Sequence, residues 1–404
     1  MSVIRFGIRT DRGRVRTNNE DAVFAQGRVF AVADGMGGAE YGEVASAVAV
    51  AVVGEWCDRL EALASMVDES DTRTRMKLSS ALEQMFEEAN ERVRQEALER
   101  GVAAMGTTLV VAVHAGAMLF VAHVGDSRAY MLRMEQIEQL TVDHSVAMLR
   151  LQRGLITPAE LDTDPLRHKL YQVIGQPGPP DVDVLEVPLA DGDRVLLCSD
   201  GLYETLTDER LVLGLEADDP DRAAMRLVSA ANRAGGPDNV SVIILHVDGG
   251  DDADTIKRRE RVLSSLFLFD HLTQSERLEV APFLSSQLVE ADQVIVSQGE
   301  PADTFCLIVE GNVRVMAGPV HLTDLGPGAH FGEFALLPGS RRTASVIANT
   351  PIVLLTLSRT DFESLIRSRP EIGARVTLGL LGSVTARLKD LTERIQVAQK
   401  ALTG

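Results

Sequence analysis

Acidic residues standing beside glycine or asparagine recur at widely separated points of the chain. They are Glu20 and Asp21 in Asn19-Glu20-Asp21, Asp34 in Asp34-Gly35-Met36-Gly37-Gly38, Asp200 in Ser199-Asp200-Gly201, and Asp238 in Asp238-Asn239. Three of the four groups adjoin an apolar, β-branched run: Phe30 to Ala33 before Asp34, Arg194 to Cys198 before Asp200, Val240 to Leu245 after Asp238. Strand ends in one core bring such residues together, and gathered carboxylates repel unless a cation neutralises them. The pattern predicts a divalent metal cluster with oxygen ligands, in the hard-cation class of Mg²⁺ or Mn²⁺. Such a pair of ions would hold a water between them, lower its pKa and aim it at a phosphorus centre. Arg16, four residues before Glu20, supplies a planar cation suited to a bidentate grip on phosphate. Gly35 lets the backbone approach the metal shell and offer a carbonyl.

The elements that must position these residues follow from hydrophobic period. Ala45, Val48, Ala49, Val52, Val53 and Trp56 fall at helical spacing, as do Leu82, Met85, Phe86, Ala89 and Val93. Strands are expected at Val3–Ile8, Val29–Ala33, Leu109–His114, Met118–Val124, Ala129–Arg133, Val182–Val187, Arg194–Cys198 and Val240–Val247. Many strands with long helices but no repeated βαβ order suggest stacked sheets with helices outside, an α+β fold. Asp248-Gly249-Gly250-Asp251-Asp252-Ala253-Asp254 reads as a linker. Beyond it, Gly-punctuated strands at Gln293–Val296, Phe305–Val309, Val313–Met316 and Ile352–Leu357 suggest an antiparallel β-roll, and a last helix runs from Glu371 to about Ala398.

With 404 residues, two domains are the default. A net charge of −19 argues against nucleic acid, whose phosphates are bound through Lys and Arg. Cys57, Cys198 and Cys306 are odd in number and lack a CxxC pair, which fits a reducing, cytoplasmic setting without zinc. The start, Met1-Ser2-Val3-Ile4-Arg5, has no signal-peptide core. The apolar stretch Thr107 to Gly125 breaks at Ala115-Gly116 and reads as two buried strands, not a membrane span. His114, His123 and His246 lie on strand patterns and read as packed histidines; His144 reads as a flap-orienting or structural residue.

Seven ordered motifs carry a family likeness: Arg16-Thr17-Asn18-Asn19-Glu20-Asp21, Asp34-Gly35-Met36-Gly37-Gly38, Gly106-Thr107-Thr108, Val124-Gly125-Asp126-Ser127-Arg128, Thr141-Val142-Asp143-His144-Ser145, Ser199-Asp200-Gly201-Leu202 and Asp238-Asn239-Val240. Over residues 1–247 the chain resembles the type 2C metal-dependent Ser/Thr protein phosphatases. The resemblance implies a four-layer αββα sandwich with two Mn²⁺ or Mg²⁺ ions at one sheet edge. It places Asp34 between both ions with the Gly35 carbonyl, Asp200 and Asp238 on one ion, and Glu20 with Asp21 in support on the other. It gives Arg16 the substrate phosphate, Asp126 with Asp200 a third metal position, and residues 143–175 the flap beside the site. Met36 stands where many relatives carry a histidine proposed as general acid, so the proton donor is open. Gln172 replaces the usual flap arginine.

The later stretch Phe331-Gly332-Glu333-Phe334-Ala335-Leu336-Leu337, followed by Arg341-Arg342-Thr343-Ala344, combines an anion-binding helix start with a cation and a carboxylate. It resembles the phosphate-binding cassette of cyclic-nucleotide-binding domains, over about residues 262–395. The likeness assigns Glu333 to the ribose 2′-OH, Gly332 and Ala335 backbone to the phosphate, Arg342 to its charge and Thr343 to the base, with cAMP or cGMP as ligand. Leu381, Val384, Leu388, Leu391 and Ile395 form a short seam that could pair two chains, fold over the bound base, or serve as a plain packing stripe. The expectation is a phosphatase domain over 1–248, a linker over 249–261 and a nucleotide-binding domain over 262–398, acting on a phosphoprotein under nucleotide control. The competing reading is a nucleotide-responsive scaffold with an idle phosphatase fold.

Overall fold

The structure is a computed structural model describing residues 2–36, 41–68, 71–102, 105–249, 283–368 and 372–382, with residues 269, 272, 280, 370 and 385. It divides into two compact units, Met1–Ala253 and Asp254–Gly404. The expected linker beyond Gly249 lies outside the described residues, as do Val384, Leu388, Leu391 and Ile395 of the C-terminal seam.

The first unit contains strands β1 (Val3–Asp11), β2 (Asp21–Gln26), β3 (Val29–Met36), β4 (Gly106–Thr107), β5 (Leu109–Ala115), β6 (Met118–Val124), β7 (Arg128–Arg133), β8 (Gln136–Gln139), β9 (Asp183–Pro188), β10 (Arg194–Cys198) and β11 (Val240–Asp248). Its helices are α1 (Gly42–Ser65), α2 (Thr72–Glu99), α3 (Val146–Gln152), α4 (Pro158–Leu161), α5 (Asp200–Tyr203), α6 (Asp208–Leu215) and α7 (Pro220–Arg233). Strand order β1-β11-β10-β7-β8 makes one antiparallel sheet; β2-β3-β5-β6-β9, with β4 on β3, makes the other.

Period two in the strands explains the layers. Val29, Ala31 and Ala33 of β3, with Val111, Val113, Phe120 and Ala122, pack against α1 and α2. The alternate face meets the other sheet, where Phe6 and Phe30 touch edge to face at 5.3 Å between centroids. On the far side, Leu196, Val242 and Ile244 pack against Leu211, Leu215, Leu227 and Ala231 of α6 and α7. Two covered faces make β5 and β6 continuously apolar, so Thr107 to Gly125 is a buried hairpin. Among the described residues no helix is long and apolar enough to cross a membrane. Strand β2 was not expected from sequence: its residues are half-buried and its alternation is weak.

The second unit carries β12 (Ser285–Val289), β13 (Val294–Val296), β14 (Thr304–Glu310), β15 (Val313–Ala317), β16 (Val320–Leu325), β17 (His330–Phe331), β18 (Ser345–Ala348), β19 (Ile352–Ser358) and α8 (Arg359–Ser368). They form two four-stranded antiparallel sheets, β12-β19-β14-β17 and β13-β18-β15-β16. Residues 372–382 are helical, and the seam's Leu381 is exposed. The polar strands β12 and β16 show mostly exposed residues, which hid them from a hydrophobic reading.

One buried ion pair pins the first sheet. Arg133 of β7 donates through Nε and Nη2 to Asp193 at 2.8 and 2.6 Å, and Nη2 also reaches the Pro188 carbonyl at 2.8 Å. The pair is 5% and 1% exposed, so removing one member strands the other charge. Asp193→Ala is expected to lose about 3–5 kcal/mol in urea unfolding, while apolar replacement of both residues recovers most of it. Equal losses for the single and double variants would show that the pair does not anchor this sheet.

Candidate metal centre and active site

The acidic groups sit at one end of both sheets. Asp21 opens β2 directly opposite Asp34 near the end of β3. Asp200 follows β10, Asp238 precedes β11, and Asp126 lies in the turn between β6 and β7. In an antiparallel sandwich these termini share an edge. Asp34 is held through its backbone: its N–H donates to Thr108 Oγ1 at 2.9 Å, and its carbonyl accepts from Thr107 Oγ1 and Thr108 N–H. Ser199 Oγ donates to Asp21 Oδ2 at 2.7 Å, tying β10 to β2.

Burial drives the electrostatics. Burial, then Asp21, Asp200 and Asp126, pushes Asp34 well above the ordinary carboxylate range. Burial also raises Asp21 to about 7, with Asp200 and Asp238 adding repulsion against the Ser241 and Ser199 hydrogen bonds. Asp126 is pushed up to about 7 by burial and by Asp200. Asp200 reaches about 6 through burial and Asp238. Glu20 is raised by burial, against the pull of Arg16. The nearby cation, Arg16, is about half exposed and its Nη2 pairs with Asp238 Oδ2 at 2.6 Å.

This donor set fits hard divalent ions on two observations. Asp21 Oδ1 is buried without a hydrogen-bond partner. Asp34 lies close enough to Asp21, Asp200 and Asp126 for each to push its pKa up, a repulsion that a cation or a proton relieves. The donors are oxygens, as Mg²⁺ and Mn²⁺ require.

Neighbouring side chains set this geometry. A Cβ on Gly35 would meet the Gly42 carbonyl oxygen at 2.0 Å and Glu20 O at 2.7 Å, so only glycine lets α1 start against the end of β3. Asn239 accepts from Glu20 N–H at 2.8 Å and donates to the Arg12 and Asn18 carbonyls, stapling the N-terminal loop beside Asp238. Arg128 binds both oxygens of Asp143 at 2.9 and 2.7 Å and lies 3.6 Å over the Tyr203 ring, whose hydroxyl donates to Asp126 O. Residues Asp126, Arg128, Asp143, Arg167, His168 and Glu204 share a cavity of about 220 Å³.

The 143–175 stretch is anchored through His144. Gly125 N–H donates to its Nδ1 at 3.2 Å, which leaves Nε2 protonated toward Asp183 at 3.2 Å. Gln172 donates to the same Nδ1 and exchanges two hydrogen bonds with Asp181 backbone, so it holds this segment where arginine was expected. His123 stacks on His144 at 4.7 Å and is buried, with Nε2 on the Val142 carbonyl. His123, His144 and Asp183 lie within 4.8 Å of one another, but the tautomer imposed on His144 turns an N–H, not a lone pair, to Asp183.

In the second unit, Gly332 has φ +82°, and a Cβ there would meet Arg342 Nη1 at 2.6 Å and Thr304 O at 2.9 Å. Glycine therefore seats the buried Arg342, whose Nη1 donates to Thr304 O at 2.8 Å. Glu333 begins the adjoining 3-10 turn Glu333–Leu336 and is also buried. The Ala335 N–H donates to Gly332 O at 2.9 Å and is engaged within the turn, while the Ala335 carbonyl accepts from Arg359 Nε. Thr343 is exposed at the margin.

The family profile described as Protein phosphatase 2C matches residues 10–227, the span holding every acidic group at the edge except Asp238. The chain belongs to the protein phosphatase 2C family. A second profile, Cyclic nucleotide-binding domain, matches residues 286–369, so this phosphatase 2C chain carries such a domain at its C-terminal side. The serine/threonine protein phosphatase PstP of Mycobacterium tuberculosis is 37% identical over 255 residues, covering 63% of this chain and 47% of that protein. The chain thus spans about half the length of that relative. The serine/threonine phosphatase stp of Listeria monocytogenes is 34% identical over 248 residues, covering 59% of this chain and 94% of that one. Among solved structures, the catalytic domain of PstP in complex with two manganese ions matches with TM-score 0.52 and 35% identity, over 62% of this chain and all of that one. Structural neighbours of this kind and the two stacked sheets agree with the αββα sandwich.

Within the 2C framework, Thr108 and Asn239, quoted in sequence only as motif members, and Gln172, noted only as a departure, are positioning residues. The polar partners they serve are distant in the chain, and only the Thr108 and Asn239 motifs marked them. The raised carboxylates set the expected response to metal. Protons hold these groups neutral at low pH, and folding disfavours their ionised forms as pH rises from the ordinary carboxylate range through about 6 to 7. Metal must displace those protons. The rise in melting temperature on saturation with Mn²⁺ or Mg²⁺ should therefore grow from pH 5 to about pH 8 and then level off. A metal-induced shift that ignores pH would contradict the raised values.

Proposed function

We propose that residues 1–248 form a metal-dependent phosphatase hydrolysing phosphoserine and phosphothreonine in proteins, and that residues 262–398, joined by a 249–261 linker, bind cAMP or cGMP and set its rate. The observation that carries the catalytic reading is the set of half-buried carboxylates at one sandwich edge, with an unpartnered Asp21 oxygen and a charged arginine beside it.

Two Mn²⁺ or Mg²⁺ ions, with a third near Asp126, would supply a water nucleophile at neutral pH and neutralise charge on the phosphoryl group. Asp34, with the Gly35 carbonyl, would hold both; Asp200 and Asp238 would complete one, and Glu20 with Asp21 the other. Arg16, whose guanidinium is already oriented by Asp238, would exchange part of that contact for the substrate phosphate and position it in line. Met36 has no proton to give the leaving Ser or Thr oxygen. The Arg128–Asp143 pair ties the start of the 143–175 segment beside Asp126.

The nucleotide reading rests on Arg342 and Glu333, both present and buried around a glycine that admits them. A cyclic phosphate would be held by the Arg342 guanidinium, and Glu333 would accept from ribose hydroxyls. The fusion supports regulation; coupling requires unequal affinity in two states.

Asp34→Asn should lower Mn²⁺-dependent hydrolysis of an aryl phosphate by about 10³-fold or more with the far-ultraviolet circular dichroism unchanged. Retained turnover in that variant would remove Asp34 from the mechanism. Calorimetry should show cAMP or cGMP binding that Arg342→Gln weakens by at least about tenfold, with turnover on a phosphopeptide altered by the bound nucleotide. If nucleotide binds but the rate never changes, the regulatory half of this proposal is wrong.

A further inference from the structure

Four arginines, Arg9, Arg12, Arg14 and Arg16, fall within eight residues of a chain whose net charge is −19. Arg16 belongs to the site described above; the others lie along β1 and the loop that follows it. Arg9 and Arg14, with Arg233 at the end of α7, line a cleft of about 500 Å³. The lining also includes Met225, Val228, the buried Asn232 and one carboxylate, Asp11, which interacts with Arg14, so the arginines outnumber it three to one. All three arginines are exposed, and among the described residues none makes an ion pair. Arg233 also borders a second hollow of about 560 Å³ whose rim carries Arg210 and Arg226, so the basic band continues along the helices.

Asn232 Oδ1 is fully buried and lies against Gly236, so it offers no acceptor to the cleft. The cleft adjoins the phosphate end of the site: Arg14 N–H donates to Gly236 O at 2.7 Å, and a Cβ on Gly13 would meet Asp238 O at 2.1 Å. One loop therefore carries Arg14 on the cleft and Arg16 on Asp238.

We propose that this cleft docks the acidic peptide segment flanking the phosphorylated residue of the substrate, with carboxylate side chains on Arg9, Arg14 and Arg233. The proposal deepens the phosphatase reading by naming its substrate class. Free carboxylates or phosphates of the segment gain from exposed arginines in a field that is otherwise negative, and the gain is screened by salt.

The test compares a phosphothreonine peptide flanked by glutamates with the same peptide carrying glutamines, on wild type and on R9Q/R14Q/R233Q. A few-fold per exposed charge pair combines to a preference of about tenfold for the glutamate peptide in wild type, expressed in KM. In the triple variant the preference should vanish, and aryl phosphate turnover, which needs no flanking segment, should stay within about twofold. Equal kcat/KM for both peptides in wild type, or a preference that survives in the variant, overturns the docking role. Fluorescence anisotropy of the labelled, unphosphorylated peptides reads the same contrast without turnover. If aryl phosphate is not hydrolysed at all, the phosphatase reading fails by itself, and the anisotropy contrast still decides the cleft. Self-association lost in the variant on size-exclusion chromatography would assign the cleft to a second copy and reject the proposal.

Discussion

Negative charge held away from water at one edge of the sandwich is the constraint around which the first unit is arranged. Asp21, Asp34, Asp126 and Asp200 are each buried enough to be pushed toward neutrality, and each raises its neighbours further. Removing carboxylates from water is costly, and packing several together multiplies the cost. A structure bearing such a cost must hold the groups rigidly, because a loose edge would let them separate into solvent. The rigidity comes from strand termini, backbone hydrogen bonds to Asp34 and the Ser199–Asp21 contact.

The surroundings follow from that requirement. Glycines at positions 35 and 201 are needed because backbone passes where a Cβ would lie: Gly42 against the first, Asn239 against the second. Asn239 then satisfies carbonyls and an amide of the N-terminal loop, which places Arg16 beside Asp238. The segment over the site is tied down by charge-assisted contacts, Arg128 to Asp143 and His144 to Asp183, so the polar parts around the carboxylates are themselves paired. The second unit uses a related device on a smaller scale, where a positive-φ glycine makes room for a buried guanidinium beside a buried glutamate.

The long apolar strands and helices were legible from one residue to the next. Met118–Val124 and Arg194–Cys198 coincide with the expected strands, since both faces of these strands are covered and every residue but Arg194 is buried. Strands β2, β8, β12 and β16 escaped because an edge or half-exposed strand pairs through its backbone, which leaves little mark on side-chain identity. The Asp34, Asp200 and Asp238 positions were visible through their Gly and Asn neighbours. Gln172 looked like a defect and proves to be a working anchor, because its partners, His144 and Asp181, lie in other segments.

Residue type and order were enough to state which chemistry the chain is equipped for: oxygen donors for hard cations, an arginine for phosphate, and a glycine-led cassette with its own arginine and glutamate. Those properties are local, carried by each short motif and its immediate backbone. Which carboxylates repel one another, which oxygen is left without a partner, and how three arginines come to line one cleft depended on distances between strands remote in the chain. Burial and long-range pairing set those quantities, and both arise when the two sheets close on each other, beyond the reach of any single window of sequence.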